Sequence, residues 1–285
     1  MNASQRRNQI LQSLAEQGQV LVEELVDKYQ VSAVTIRYDL NLLAKKGLVI
    51  RSRGGAMAIN TATSELSIEQ KESSKTTVKK RLAKAACKLL KSGDSIILDS
   101  GTTTAEIANQ LGQFESLIVM TNGLNVIDNL VKVAKDADHI QILTTGGTLR
   151  HKSLSFYGQQ AELAIKNTHF DKVLLGVDGF DFNAGLTTHF EYEAQLNRVM
   201  CRTAKQVIVV TDSSKFNRCG VHKICNINQI DVLVTDDKIP ESFVKALKRK
   251  GIELVIVASD LTTNDIATDE ITADDSNTTR SSIAQ

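Results

Sequence analysis

Two stretches of this 285-residue chain carry side chains whose types and spacing could do chemistry. The first is Asp99-Ser100-Gly101-Thr102-Thr103-Thr104, which follows the apolar run Ser95-Ile-Ile-Leu98. A glycine and threonine loop between a strand end and a helix start suits an anion. Its backbone N–H groups point outward, the helix dipole adds positive potential, and the hydroxyls add donors. No Gly-Lys-Ser/Thr follows, so it is not a Walker loop. Asp99 would repel a phosphate directly, so its expected role is to hold loop N–H groups or a sugar hydroxyl. Taken alone, the loop reads equally well as a threonine-rich helix cap. Further polar residues stand at the ends of later apolar runs: Thr145-Gly146-Gly147, Asp178, Glu191 with Glu193, and Lys215. Open α/β sheets bind ligands outside the carboxyl ends of their strands. The expected effector-binding set is therefore Asp99 to Thr104, Gly146, Asp178, Glu191 and Lys215. In it Asp178 accepts from sugar hydroxyls and Lys215 neutralises a phosphate. Each of these residues alone serves a turn or a cap just as well, and Arg150-His151-Lys152 reads as a solvated basic turn.

The second stretch is Ser32-Ala-Val-Thr35-Ile-Arg37-Tyr38-Asp39-Leu40. Ser32, Thr35 and Tyr38 recur every three residues and share a helix face. Arg37 lies near it, long enough to reach a guanine edge or a phosphate. Downstream, Arg51 and Arg53 flank Gly54-Gly55. Glycines at a hairpin tip let a backbone approach DNA closely, and the arginines reach phosphate or the minor groove. The expected DNA-binding residues are Ser32, Thr35, Arg37, Tyr38, Arg51, Arg53 and Gly54.

The elements that must position these residues follow from periodicity. Ser4 caps a first helix with Ile10, Leu11 and Leu14 apolar, ended by Gly18. Val20 to Tyr29 carries Leu21, Val22, Leu25 and Val26 as a second helix. Ser32 caps a third, with Val34, Ile36, Leu40, Leu42 and Leu43 as its apolar positions, closed by Gly47. Leu48 to Ile59 reads as strand, Gly-Gly turn, strand. Three helices and a basic hairpin in this order outline a winged helix-turn-helix over residues 1–58. Residues 59–75 read as a polar linker. From residue 76 to 258, apolar runs (Ser95–Asp99, Leu117–Thr121, Ile140–Thr144, Lys172–Val177, Gln206–Thr211, Asp231–Thr235, Glu253–Val257) alternate with amphipathic ones. That pattern predicts an α/β domain with a largely parallel sheet. Residues 259–285 are acidic, rich in Thr and Ser, and read as disordered.

Composition narrows the function classes. Hydrophobic residues make up 42% and charged residues 24%, ordinary for a globular protein. No run has the length of a membrane span, and the N-terminus lacks the apolar stretch of a signal peptide. Cys87, Cys201, Cys219 and Cys225 stand far apart, without CxxC or zinc spacing, and read as reduced thiols of a cytoplasmic protein. No catalytic residue set, metal or cofactor is expected. The net charge of +1 hides an uneven distribution. Residues 1–57 hold eight Lys/Arg against five Asp/Glu, and residues 258–285 one Arg against six Asp/Glu.

The stretches Arg6-x3-Ile10-x3-Leu14 and Ser32-x2-Thr35-Ile36-Arg37-x-Asp39-Leu40 resemble the signature of the DeoR family of bacterial sugar-catabolism regulators. Tyr38 departs from it, standing where the family usually has a basic or small polar residue. Asp99 to Thr104, Ser155-Phe-Tyr-Gly158 and Thr211 to Arg218 look most like repressors of N-acetylgalactosamine-type amino-sugar operons. The larger domain also resembles the ribose-5-phosphate isomerase-like fold. On that resemblance the threonine loop is similar to the enzyme's phosphate loop. Asp178-Gly-Phe-Asp181 is similar to its paired aspartates, and Glu191 or Glu193 stands near its general base. Where the enzyme has a lysine before a glycine-rich turn, this chain has Phe182-Asn-Ala-Gly185, which implies binding without turnover.

The resemblance thus implies a repressor, assembled as a homo-oligomer, that leaves double-stranded operator DNA when a phosphorylated sugar binds. Two recognition helices would then sit about 34 Å apart on the duplex. An isomerase with a DNA-binding head and an activator of the same architecture stand as alternatives.

Overall fold

The computed structural model describes residues 3–45, 49–52, 54–58, 67–73, 75–134 and 139–259. Arg53, Gly47, most of the expected linker and residues 260–285 of the expected tail lie outside them. The chain divides into two compact units. One comprises Met1–Ser67, Val177–Val199 and Lys215–Gln229, the other Ile68–Gly176, Met200–Ser214 and Ile230–Gln285.

In the first unit, α1 (Ala3–Gln17), α2 (Val22–Tyr29) and α3 (Ala33–Lys45) surround a small sheet of β1 (Gln19–Leu21), β2 (Val49–Ser52) and β3 (Gly55–Ala58). Its strand order is β1-β3-β2, antiparallel throughout. Helix α1 starts at Ala3, one residue before the expected cap, and ends where Gly18 turns to φ +77°. The expected second helix begins two residues late. Gln19-Val-Leu21 is a strand instead, paired with β3. Gly55 makes that pairing possible, because a Cβ there would lie 2.0 Å from the Val20 carbonyl oxygen. Gly54, at φ +85°, takes the turn itself. The head core is Ile10, Leu14, Val20, Val22, Leu25, Ile36, Leu40, Leu43, Val49 and Ala56. Of the apolar positions expected in the head, Leu11, Val26 and Leu42 are only half-buried, and Leu21 and Val34 are exposed. On a helix with 100° per residue, Val34 lies about 200° from Ile36 and cannot share its side.

The same unit contains a three-stranded antiparallel sheet of β10 (Gly179–Asp181), β11 (Gly185–Thr188) and β13 (His222–Cys225), in the order β10-β11-β13. Phe180 and Phe216 pack against each other there, with ring centroids 5.0 Å apart.

The second unit is built on seven parallel strands: β4 (Ser95–Leu98), β5 (Leu117–Thr121), β6 (Ile140–Thr144), β9 (Phe170–Leu175), β12 (Ala204–Val210), β14 (Val232–Asp236) and β15 (Glu253–Val257). All seven fall on the expected apolar runs. Ile96, Ile97 and Leu98 are each fully buried, so both faces of the central strands are covered. One face packs on α5 (Thr76–Cys87), α6 (Thr102–Ala108) and α7 (Leu124–Val133) through Leu82, Ala86, Ile107, Val126 and Leu130. Helix α4 (Ile68–Ser73) precedes them, tied down where the Ile68 N–H donates to the Lys152 carbonyl at 3.0 Å. Two short strands, β7 (Thr148–Arg150) and β8 (Ser155–Tyr157), form a hairpin whose turn holds the exposed His151 and Lys152 of the expected basic turn. Helices α8 (Gln159–Lys166) and α10 (Glu241–Arg249) complete the unit; of α9 (Glu191–Thr203), the residues to Val199 belong to the first unit. Asp171 joins three strands by accepting from Lys205 and from the N–H and hydroxyl of Ser95. These bonds, led by that from Lys205, hold its carboxyl well below the usual carboxylate range.

The sheet order is β15-β14-β12-β9-β4-β5-β6. From β4 the chain winds outward to β5 and β6, then returns to β9 on the other side of β4 and winds away from it. The reversal lies between β4 and β9, where a doubly wound sheet opens its crevice.

Candidate DNA interface and effector loop

The recognition helix is held by its cap and by a charge clamp. Ser32 accepts from the Thr35 N–H at 3.2 Å, and the two hydroxyls lie 2.9 Å apart. The Ser32 and Thr35 hydroxyls are thus engaged with each other at the start of α3. Further along, Asp39 is buried and takes Arg6 Nε at 2.6 Å and Arg7 Nη1 at 3.0 Å, fastening α3 to α1. Arg37 and Tyr38 are exposed, as the DNA-binding expectation requires. Val34, one of the expected apolar positions of α3, is 73% exposed on the same side as Tyr38, 64% exposed.

Arg51 sits differently. Its Nε donates to Asn41 Oδ1 at 2.9 Å, and its Nη1 donates to the Gly55 carbonyl. It braces the wing against α3 rather than extending from it. Gly54 is exposed at the turn, and its carbonyl accepts from the Val22 N–H at 2.8 Å.

The threonine loop stands at the carboxyl end of β4, beside the reversal. The Asp99 N–H donates to the Leu174 carbonyl of β9 at 3.1 Å, and Asp99 is buried. Two asparagines not expected from sequence organise the loop. Asn122, fully buried at the end of β5, accepts from the Ser100 N–H at 2.8 Å. Asn125 donates to the Gly101 carbonyl at 3.0 Å. Asn122 follows the run Leu117–Thr121 directly, and that position was the available signal; Asn125 lies in the first turn of α7. The three threonines divide by role. Thr104 is buried and donates to the Gly101 carbonyl at 3.1 Å, closing the turn. Thr102 is buried, and Thr103 is half-buried. At the end of β6, Thr145 donates to the carbonyl of Gly146, whose φ is +59°. At the end of β12, buried Asp212 pairs with Lys75, the last residue of the expected linker, at 2.6 Å.

The other expected effector residues belong to the first unit. Thr188 lies between two carboxylates, 3.0 Å from Asp178 and 3.3 Å from Glu193. Glu193, buried, therefore shares Asp178's surroundings. Glu191 is exposed in the first turn of α9, with Gln195 Nε2 at 3.4 Å. Lys215 ends the turn Ser213–Lys215 and is half-buried. Asp181 accepts from the N–H groups of Asn183 and Ala184 at 2.8 and 2.9 Å, so its carboxylate caps the β10–β11 turn.

Among the described residues no group of His, Cys, Asp and Glu could hold a metal. Burial pushes the Cys87 thiol up to about 12. No described helix is long and apolar enough to cross a membrane.

Comparison with known proteins matches the N-terminal head and the rest of the chain separately. A profile of the DeoR-like helix-turn-helix domain matches residues 6–62, and one of the DeoR C-terminal sensor domain matches residues 74–237. A candidate aga operon transcriptional repressor from Escherichia coli O157:H7 is 46% identical over 256 residues, covering 89% of this chain and 94% of that protein. The glycerol-3-phosphate regulon repressor of Escherichia coli K12 is 31% identical over 254 residues, covering 89% and 99%. The HTH-type transcriptional repressor GlcR of Bacillus subtilis strain 168 is 30% identical over 260 residues, covering 91% and 98%. Among solved structures, ribose 5-phosphate isomerase A from Methanocaldococcus jannaschii is similar over 50% of this chain and 55% of its own, at 18% identity and a TM-score of 0.37.

Proposed function

The chain belongs to the DeoR family of transcriptional regulators, and from that premise we propose that it represses a sugar or amino-sugar catabolic operon and is released by a phosphorylated sugar. The observation that carries this reading is the threonine loop at the sheet's reversal point. It is held open by Asn122 and Asn125, and the half-buried Thr103 hydroxyl remains available to a ligand. With the Asp99 and Ser100 N–H groups taken by Leu174 and Asn122, the N–H groups that open α6, with Thr103 among them, suit a phosphate. The relatives named for the aga, glycerol-3-phosphate and glc systems support a sugar operon, and the 46% relative favours an amino sugar.

Binding without turnover is part of the proposal. Phe182-Asn-Ala-Gly185 offers no lysine, and the Asp181 carboxylate is committed to a turn. The protein acts as a homo-oligomer, so that two α3 helices read two half-sites about one helical turn apart.

A thermal-shift screen with phosphorylated and unphosphorylated sugars tests the effector. A ligand at a hundred times its Kd stabilises the folded state by about 2.7 kcal/mol. One phosphorylated sugar is expected to raise the melting temperature while its unphosphorylated form does not. A panel without any shift, or equal shifts from the two forms, contradicts the proposal. A turnover assay on aldose and ketose phosphates is expected to show no product.

A further inference from the structure

The start of α3 presents an apolar side chain where a reader of base edges would be expected to be polar. Ile36, Leu40 and Leu43 are buried in the head, together with Asp39. Val34 and Tyr38, one turn apart, point the other way at 73% and 64% exposure. The nearest hydroxyls, those of Ser32 and Thr35, are engaged with each other and with the Thr35 N–H at the helix cap. The most exposed side chain of the first turn is therefore a branched hydrocarbon, and nothing among the described residues of the head covers it.

The N-terminal residues of the second motif helix are the ones that meet base edges. In the major groove the apolar feature of the base edges is the C5 methyl of thymine, which apolar side chains touch when they discriminate A·T pairs. Arg37, exposed on the same helix, supplies positive charge for the flanking phosphates or a guanine. We infer that Val34 is a specificity-determining residue that packs on a thymine methyl of each half-site, with the Tyr38 ring covering the adjoining step. This rests on the DNA-binding reading above and adds the base it selects.

The test uses the full chain. Preferred duplexes are selected from a random pool. Each thymine of the half-site is then replaced by deoxyuridine, which removes the methyl alone. With the unmodified protein, one or two of these replacements are expected to weaken binding about fourfold, the weight of one buried methylene-sized group. With Val34→Ala the same replacements are expected to have no effect, because the partner surface is gone. Val34 is exposed, so the substitution leaves the head core untouched. Deoxyuridine effects that are equal in both proteins, or absent at every position, overturn the inference while leaving the DNA-binding reading intact. A selection that returns no preferred sequence contradicts that reading and this inference with it.

Discussion

Arg37 and Arg51 show how two residues of one type acquire different duties. Arg51 is tied to Asn41 and to the Gly55 carbonyl, so its guanidinium is part of the wing's own structure. Arg37 is exposed beside Tyr38 on the reading helix. Replacing Arg37 with Ala is expected to weaken operator binding by on the order of 1–3 kcal/mol and random DNA much less, as loss of a base-edge contact does. Titrations of both duplexes at one salt concentration decide it. An equal loss on both makes Arg37 a phosphate contact, and no loss on either removes it from the interface. Arg51→Ala, by contrast, is expected to weaken binding to both duplexes in parallel, because the wing loses its brace.

The residue scale is also where sequence reasoning was least complete. Val34 stands in the sequence as one more apolar position of α3, although its phase against Ile36, Leu40 and Leu43 places it opposite them. Glu191 was chosen over Glu193, yet only the fold shows that Thr188 joins Glu193 to Asp178. No spacing rule tells which of two carboxylates two residues apart meets Thr188; that depends on how α9 turns after β11.

At the scale of elements, the head depends on the clamp between α1 and α3. Asp39 is buried with Arg6, while Arg7 is more open. Breaking a buried ion pair from one side leaves an uncompensated charge and costs about 3–5 kcal/mol. Asp39→Ala is therefore expected to loosen the head without touching the larger sheet. Amide hydrogen exchange on the full chain reads the two separately. Protection is expected to fall in α1 and α3 and to persist in β4, β9 and β12. Unchanged exchange in α1 and α3 contradicts the clamp.

The legibility of elements follows their length and burial. The seven parallel strands were readable because each is a continuous apolar run, buried on both faces. The short strands were not. Gln19-Val-Leu21 joined the helical period of Val22, Leu25 and Val26, and its strand conformation depends on Gly55 admitting it beside β3. Strands β7, β8 and β10 have three residues each and no alternation long enough to register. The phosphate-suited loop was legible as a motif, whereas Asn122 and Asn125, which hold its shape, became visible only with β5 placed beside β4.

For the whole molecule the claim is that one chain couples two ligands. An effector shifts the DNA-binding equilibrium only by its differential affinity for the two states. If the phosphate supplies that difference through the threonine loop, weakening the loop must spare operator binding and impair release. Thr103→Val suits the purpose. It removes a hydroxyl while keeping the side-chain shape. It also leaves the Thr104 bond that closes the turn and the Asn122 bond to Ser100. Operator release, followed by anisotropy of a labelled duplex while a phosphorylated amino sugar and its unphosphorylated form are titrated, is the most direct test. The account predicts that the unmodified protein leaves the duplex with the phosphorylated form alone. It predicts that Thr103→Val binds the duplex equally tightly and needs at least several-fold more sugar phosphate to leave it. Release of both proteins at the same concentration, or release by the unphosphorylated sugar, would contradict it.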